Sequence, residues 1–149
     1  MFKLSKTQKL TGNIYVVRTL ISNFFMYSDC ETTICFNTGF IPSIINREMK
    51  KINIHPQSVS GIFLTYPNFY HTGGIKLFKN ANIYFSADIS IKKFPNRSFY
   101  IEDTTNIKCE KLHDGDEINI GKIKIKSIVF PGHKKGVISY IVNDSILFV

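Results

Sequence analysis

The stretch that decides the fold runs from Ser60 to Gly74: Ser60-Gly61-Ile62-Phe63-Leu64-Thr65-Tyr66-Pro67-Asn68-Phe69-Tyr70-His71-Thr72-Gly73-Gly74. Its first six residues form a short, almost wholly apolar run, the pattern of a strand buried on both faces. A polar turn follows. His71-Thr72-Gly73-Gly74 then leads into Ile75-Lys76-Leu77-Phe78, which predicts a short helix. The two glycines lack the spacing and the lysine of a phosphate loop. Close backbone packing at a helix start is their expected role.

Upstream, Gly12 to Thr19, Ser22 to Ser28 and Thr33 to Phe36 are rich in aromatic and β-branched residues and predict three strands. Asn37-Thr38-Gly39 is a turn. Pro42-Ser43 opens a helix whose Ile44, Ile45, Met49 and Ile52 recur at helical spacing. Downstream, Ala81 to Phe85 predicts a strand and Ser86 to Lys93 a helix. From Ile107 the pattern turns to β, with Ile107 to Leu112, a turn at Asp114-Gly115-Asp116, and Ile118-Asn119-Ile120. Ile123 and Ile125 alternate with Lys124 and Lys126, which sends isoleucines to one face and lysines to the other. Ser139 to Val142 and Ser145 to Val149 predict a hairpin around Asn143-Asp144. The mixture is α/β with much antiparallel pairing.

The bulk properties suit one globular domain. The 149 residues are 44% hydrophobic and 20% charged, enough to bury a core. No run approaches the roughly 20 apolar residues that span a bilayer, and the opening Met1 to Lys6 has no signal-peptide pattern. The sequence therefore predicts a cytoplasmic chain with no membrane partner. Three cysteines, Cys30, Cys35 and Cys109, have no Cys-x-x-Cys spacing, which argues against a disulfide framework or a zinc ribbon. Buried or strand-lodged thiols are the expectation. The formal net charge is +8, a charge that can attract nucleic acid. The lysines are nevertheless dispersed, without the interleaved aromatics of a single-strand platform, so a solvated face is the preferred reading.

Three ordered landmarks resemble the metallo-β-lactamase-fold metallo-hydrolases. The family motif is Thr-His-x-His-x-Asp-His-x-Gly-Gly, with Asp sometimes replacing the second His, and this chain matches its frame at Thr65, His71, Gly73 and Gly74. The family's Pro-Gly-His loop before a strand pair is similar to Pro131-Gly132-His133. Its Asp-Thr-Gly turn is similar to Asn37-Thr38-Gly39. The resemblance covers Gly12 to Val149 and implies an α/β fold, a metallo-β-lactamase-like αββα sandwich. It implies the amino-terminal part only, with the carboxy-terminal half absent, as a single truncated domain over residues 1–149.

Members of that family hold zinc or iron and use a metal-activated water as nucleophile. Zinc needs about four N, O or S ligands at about 2 Å. Carried across residue by residue, Tyr66 stands where a His ligand belongs, Asn68 where the second His or Asp belongs, and Tyr70 where the Asp of the second metal belongs. His71 and His133 survive as residual metal candidates, but the resemblance assigns them to different ions. An amide and two phenols are poor substitutes for imidazole and carboxylate. The resemblance also implies a bridging Asp and a last His beyond the strand matching Ile146 to Val149, and neither is in the sequence. No paired base stands beside Tyr66 or Tyr70, so aromatic bulk filling a vacated pocket is their expected role.

The resulting expectation is a protein of metal-dependent hydrolase descent with an eroded metal site, no catalytic residues, and no cofactor; any cofactor it did hold would be zinc or iron. A half-site completed by a second chain is the alternative, because the missing half would leave a sheet edge and an apolar face uncovered. The partner is then a second copy or another chain covering that sheet. A basic nucleic-acid-binding module ranks last. His55 and His113 match no motif position. The carboxylates Asp114, Asp116 and Glu117 are explained by turn chemistry rather than by calcium, since their spacing is not an EF-hand loop.

Overall fold

The computed structural model describes residues 6–89 and 108–149. The first strand, β1 (Gln8–Thr11), was not anticipated: only one of its four residues is even half-buried, so it carries no apolar signal. It pairs antiparallel with β2 (Ile14–Val17), which pairs with β3 (Phe24–Ser28), which pairs with β4 (Thr33–Phe36). The chain then crosses over through helix α1 (Pro42–Lys50) and adds three parallel strands, β5 (Val59–Phe63), β6 (Asn82–Ser86) and β7 (Cys109–Leu112). These seven strands make one sheet, ordered as they occur in the chain. The last four strands, β8 (Glu117–Ile120), β9 (Ile123–Ile128), β10 (Ser139–Val142) and β11 (Ile146–Phe148), make a second, antiparallel sheet.

Alternation along the seven-stranded sheet builds two cores. Phe24, Met26, Cys35, Ile62, Ile83 and Phe85 point to one face and pack with Ile45 and Met49 of α1. Tyr27, Ile34, Phe36, Phe63 and Tyr84 point to the other and meet Ile123, Ile125, Tyr140, Val142 and Phe148 of the second sheet. Period-2 side-chain direction is the cause. Each fully buried aliphatic or aromatic side chain contributes about 1.5–3 kcal/mol. Inside the second core Phe36 stacks on Phe148, with ring centroids 3.8 Å apart. Tyr140 is fully buried and donates its hydroxyl to the carbonyl of Leu64 at 2.7 Å. Gly61 permits close approach of the sheets, because a Cβ there would lie 2.6 Å from Ile120 Cδ1.

The described layers are therefore helix, sheet, sheet, the order of the first three layers of the expected sandwich. Two expectations need correction. Ser86 to Lys93 is not a helix in its described part: Ser86 closes β6 and residues 87–88 turn, while residues 90–93 lie outside the described residues. The helix after Gly74 is a single 3-10 turn over Ile75–Leu77, and a one-turn helix α2 (Phe69–Thr72) precedes it. The β10–β11 hairpin forms as expected, with Asn143 and Asp144 both at positive φ, 49° and 59°, the geometry of a type I′ turn.

The cysteines divide. Cys35 is buried, and burial pushes its thiol up. Cys109 is in β7 but exposed. Cys30 is exposed in the bend between β3 and β4, so it is neither buried nor in a strand. No helix among the described residues is long and apolar enough to cross a membrane.

Candidate functional site

The site lies at the carboxyl ends of the parallel strands, where α/β folds place their functional groups. Three segments distant in sequence converge there. Asn37, at the end of β4 with φ +66°, accepts from the backbone N–H of Thr65 through Oδ1 at 3.0 Å and donates from Nδ2 to Thr65 Oγ1 at 3.1 Å. Both residues are buried. Thr38 donates from its backbone N and from Oγ1 to the carbonyl of His71, each at 2.8 Å, and accepts from Gly74 N at 3.2 Å. The Asn-Thr-Gly turn thus clasps the whole Thr65–Gly74 segment. Nothing in local spacing announced the part played by Thr38.

The glycines are required by this clasp. A Cβ on Gly73 would lie 2.1 Å from the carbonyl oxygen of Phe40, and one on Gly74 would lie 2.5 Å from Ile45 Cδ1. Both are far inside van der Waals contact, so their close-packing role is the one expected from the sequence.

Each position aligned with a ligand of the family motif has a structural occupation. Asn68 caps α2, its Oδ1 accepting from His71 N at 3.1 Å, which satisfies one of the first-turn donors. Tyr66 is half-buried and presents its ring to Lys134, whose Nζ lies 4.7 Å from the ring centroid, a cation–π contact. Tyr70 is 36% exposed. It does not fill a pocket; it joins Phe40 and Phe69 in an aromatic group at the rim, with centroid separations of 5.9 Å and 3.8 Å. Ser22 donates to the Tyr70 carbonyl at 3.0 Å, fastening this rim to the β2–β3 connection.

His71 is half-buried, and its Nδ1 lies 3.0 Å from the carbonyl oxygen of Tyr66. A carbonyl only accepts, so this bond requires the proton on Nδ1 and leaves the lone pair of the neutral ring on Nε2. His133 follows Gly132 (φ +83°) in an exposed turn, with its ring 5.8 Å from that of Phe130. The same loop reaches the motif through Lys134, through Gly136, where a Cβ would lie 3.6 Å from Tyr66 Cε2, and through Ile138 N, which donates to Thr65 O at 2.9 Å. The third landmark is thus against the first two.

The residues here do not fit the metal centre that the motif frame implies. Two imidazoles remain, and the intervening positions offer an amide engaged as a cap and two phenols. Among the described residues no group of three or more His, Cys, Asp or Glu could hold a metal ion. The other candidates are occupied in turns: Asp114 Oδ1 accepts from Val129 N at 2.7 Å and Asp116 Oδ2 from His113 N at 2.7 Å.

No family model matches the sequence. The chain is similar to the probable metallo-hydrolase YqgX of Bacillus subtilis (strain 168), 26% identical over an alignment of 140 positions that covers 85% of this chain and 62% of that protein. Among solved structures it is similar to the metallo-β-lactamase GOB-18 from Elizabethkingia meningoseptica, with 25% identity, a TM-score of 0.71, and coverage of 95% of this chain and 58% of that one. It is also similar to a β-lactamase from Chitinophaga pinensis, with 23% identity, a TM-score of 0.72, and coverage of 92% and 56%. The chain spans about three fifths of the length of these relatives. Strand order, the clasped Thr65–Gly74 segment and these similarities agree: the chain has the amino-terminal part of the metallo-β-lactamase fold.

Proposed function

We propose that this chain descends from a metal-dependent hydrolase, that its metal site has eroded, and that it does not itself catalyse hydrolysis. The observation that carries the reading is the reuse of the ligand positions: Asn68 caps a helix, Tyr66 holds Lys134, and Tyr70 lies on the rim. A ligand position under selection for metal needs a free imidazole or carboxylate. The residual metal candidates are His71 and His133. Zinc or iron is the metal either would take. Metal content of the purified chain, measured by mass spectrometry beside His71→Ala and His133→Ala, tests this. Near-stoichiometric zinc or iron that both substitutions abolish, together with metal-dependent turnover, would overturn the reading.

A second reading is a hydrolase half-site completed by another chain or another copy. Its support is β11, which among the described residues has a neighbour on one side only, with Leu147 within it 49% exposed and Val149 after it 80% exposed. Such an edge is a template for pairing. A folded protein that stays monomeric in sedimentation at high concentration would remove it.

A further inference from the structure

A cavity of about 300 Å³ lies between the β1–β2 side of the large sheet and α1, lined by Lys6, Arg18, Thr19, Leu20, Ile44, Arg47, Glu48 and Lys51. Its charge is strongly one-sided, with four cationic side chains and a single carboxylate. That carboxylate is already engaged. Glu48 is buried, Oε2 accepts from Thr7 Oγ1 at 2.5 Å, and Oε1 accepts from Lys51 Nζ at 2.7 Å with Arg47 Nε at 3.4 Å. Thr7 in turn accepts from Arg18 N at 3.0 Å, so one hydrogen-bonded chain ties the residue before β1 and the residue after β2 to α1. Arg47 and Lys51 share the one Glu48 carboxylate yet keep 67% and 56% of their side chains exposed, so this trio keeps a net positive charge at the mouth. Leu20 and Ile44 supply apolar wall.

We infer that this cavity is an anion site for a small phosphorylated molecule, of diphosphate type, distinct from the Thr65–Gly74 region. Arginine forks match phosphate oxygens in pairs, and lysine adds point charge. The volume is at the lower end of small-ligand pockets, which suits a diphosphate with a compact organic group against Leu20 and Ile44. A long nucleic-acid strand is the less suitable ligand, because the cations surround a concavity instead of following a stripe. The inference stands or falls independently of the proposed loss of hydrolysis.

The test is calorimetric titration of the full chain with inorganic pyrophosphate at low salt. Wild type is compared with Arg47→Ala, Arg47→Glu and, as a control of equal charge change, Lys122→Glu; Lys122 is an exposed cation paired with Glu31 at 3.5 Å. The site predicts saturable binding of one pyrophosphate per chain. Arg47→Ala should weaken it about tenfold, the loss of one charge-assisted contact, and Arg47→Glu more, while Lys122→Glu leaves it nearly unchanged. Because Arg47 is largely exposed, Arg47→Ala leaves the core intact, and an unchanged melting midpoint verifies this. Absence of saturable binding would overturn the inference. So would equal weakening by the Lys122 control, or tight binding of a single-stranded oligonucleotide where pyrophosphate does not bind.

Discussion

The Nδ1 atom of His71 lies 3.0 Å from the backbone oxygen of Tyr66, five residues earlier. This bond does for His71 what supporting carbonyls do for metal-bound histidines: it fixes the tautomer, with the proton on Nδ1. The surrounding clasp, from Asn37 to Gly74, is equally intact. The loop that carries positions 66 and 68 is thus held by its own hydrogen bonds, and ligand groups can be introduced there by substitution.

Tyr66→His with Asn68→Asp should create, with His133, two imidazoles and a carboxylate around one position, an adequate set for zinc. Asp is chosen at 68 because it retains the cap acceptor for His71 N. The double variant should hold close to one zinc per chain by mass spectrometry and lose it on adding His133→Ala. A variant that folds yet takes up no more zinc than wild type would show that the loss extends beyond these two side chains.

Gly73→Ala should destabilise by about 1–3 kcal/mol, in the range of overpacking against an unyielding neighbour, because its Cβ would lie 2.1 Å from the Phe40 carbonyl. Urea unfolding reads this directly. Gly115→Ala offers a contrast in kind, since nothing lies within 4 Å of a Cβ there and only its φ of +83° resists substitution. A stability cost smaller at Gly73 than at Gly115 would contradict the clasp.

Glu48 supplies a pH dependence. Burial raises its carboxyl pKa, but hydrogen bonds from Lys51 and Thr7 and the charges of Lys51 and Arg47 outweigh this and hold it below the ordinary 4.5. A depressed native value means that the unfolded state takes up the proton first. The stabilisation is therefore complete above 4.5 and is lost as pH falls through the lower native value. Glu48→Gln should cost about 1–3 kcal/mol near neutrality, the worth of hydrogen bonds to a charged group, with the gap closing in acid. Denaturant midpoints across pH that differ by a constant amount would refute it.

Tyr140→Phe removes the hydroxyl that donates to Leu64 O at 2.7 Å between the two sheets. Burial pushes this phenol well above its ordinary pKa, so it stays a neutral donor. The substitution should lower stability by about 1–2 kcal/mol with an unchanged denaturant slope. A midpoint equal to wild type would mean that the Leu64 carbonyl finds another donor.

The period of the apolar residues determined much of this protein from the sequence alone. Ile62 and Phe63 read as part of a doubly buried strand, Ile123 and Ile125 as an inward pair, and the structure places them so, although Leu64 lies buried just past the end of β5. Of the four apolar positions read at helical spacing, Ile45 and Met49 are buried on α1, Ile44 is half-buried, and Ile52 lies past the helix end. Side-chain direction in strands and helices follows local geometry, so one-dimensional order suffices for these statements. Thr65, His71, Gly73 and Gly74 likewise marked the loop. Elements with weak or short patterns escaped: β1 is an edge strand with little to bury, and α2 is a single turn held by one Asn68 cap.

Tertiary structure alone decided what the non-apolar residues do. Lys134 meets the ring of Tyr66 across 68 positions, Thr38 receives Gly74 across 36, and Glu48, on the charged run of α1, is buried because Thr7 and Lys51 reach it. A polar side chain can be solvated, capped or paired at similar free energy. The winner depends on which partners folding brings into contact, and that proximity is set by the packing of two sheets and a helix, not by position in the chain.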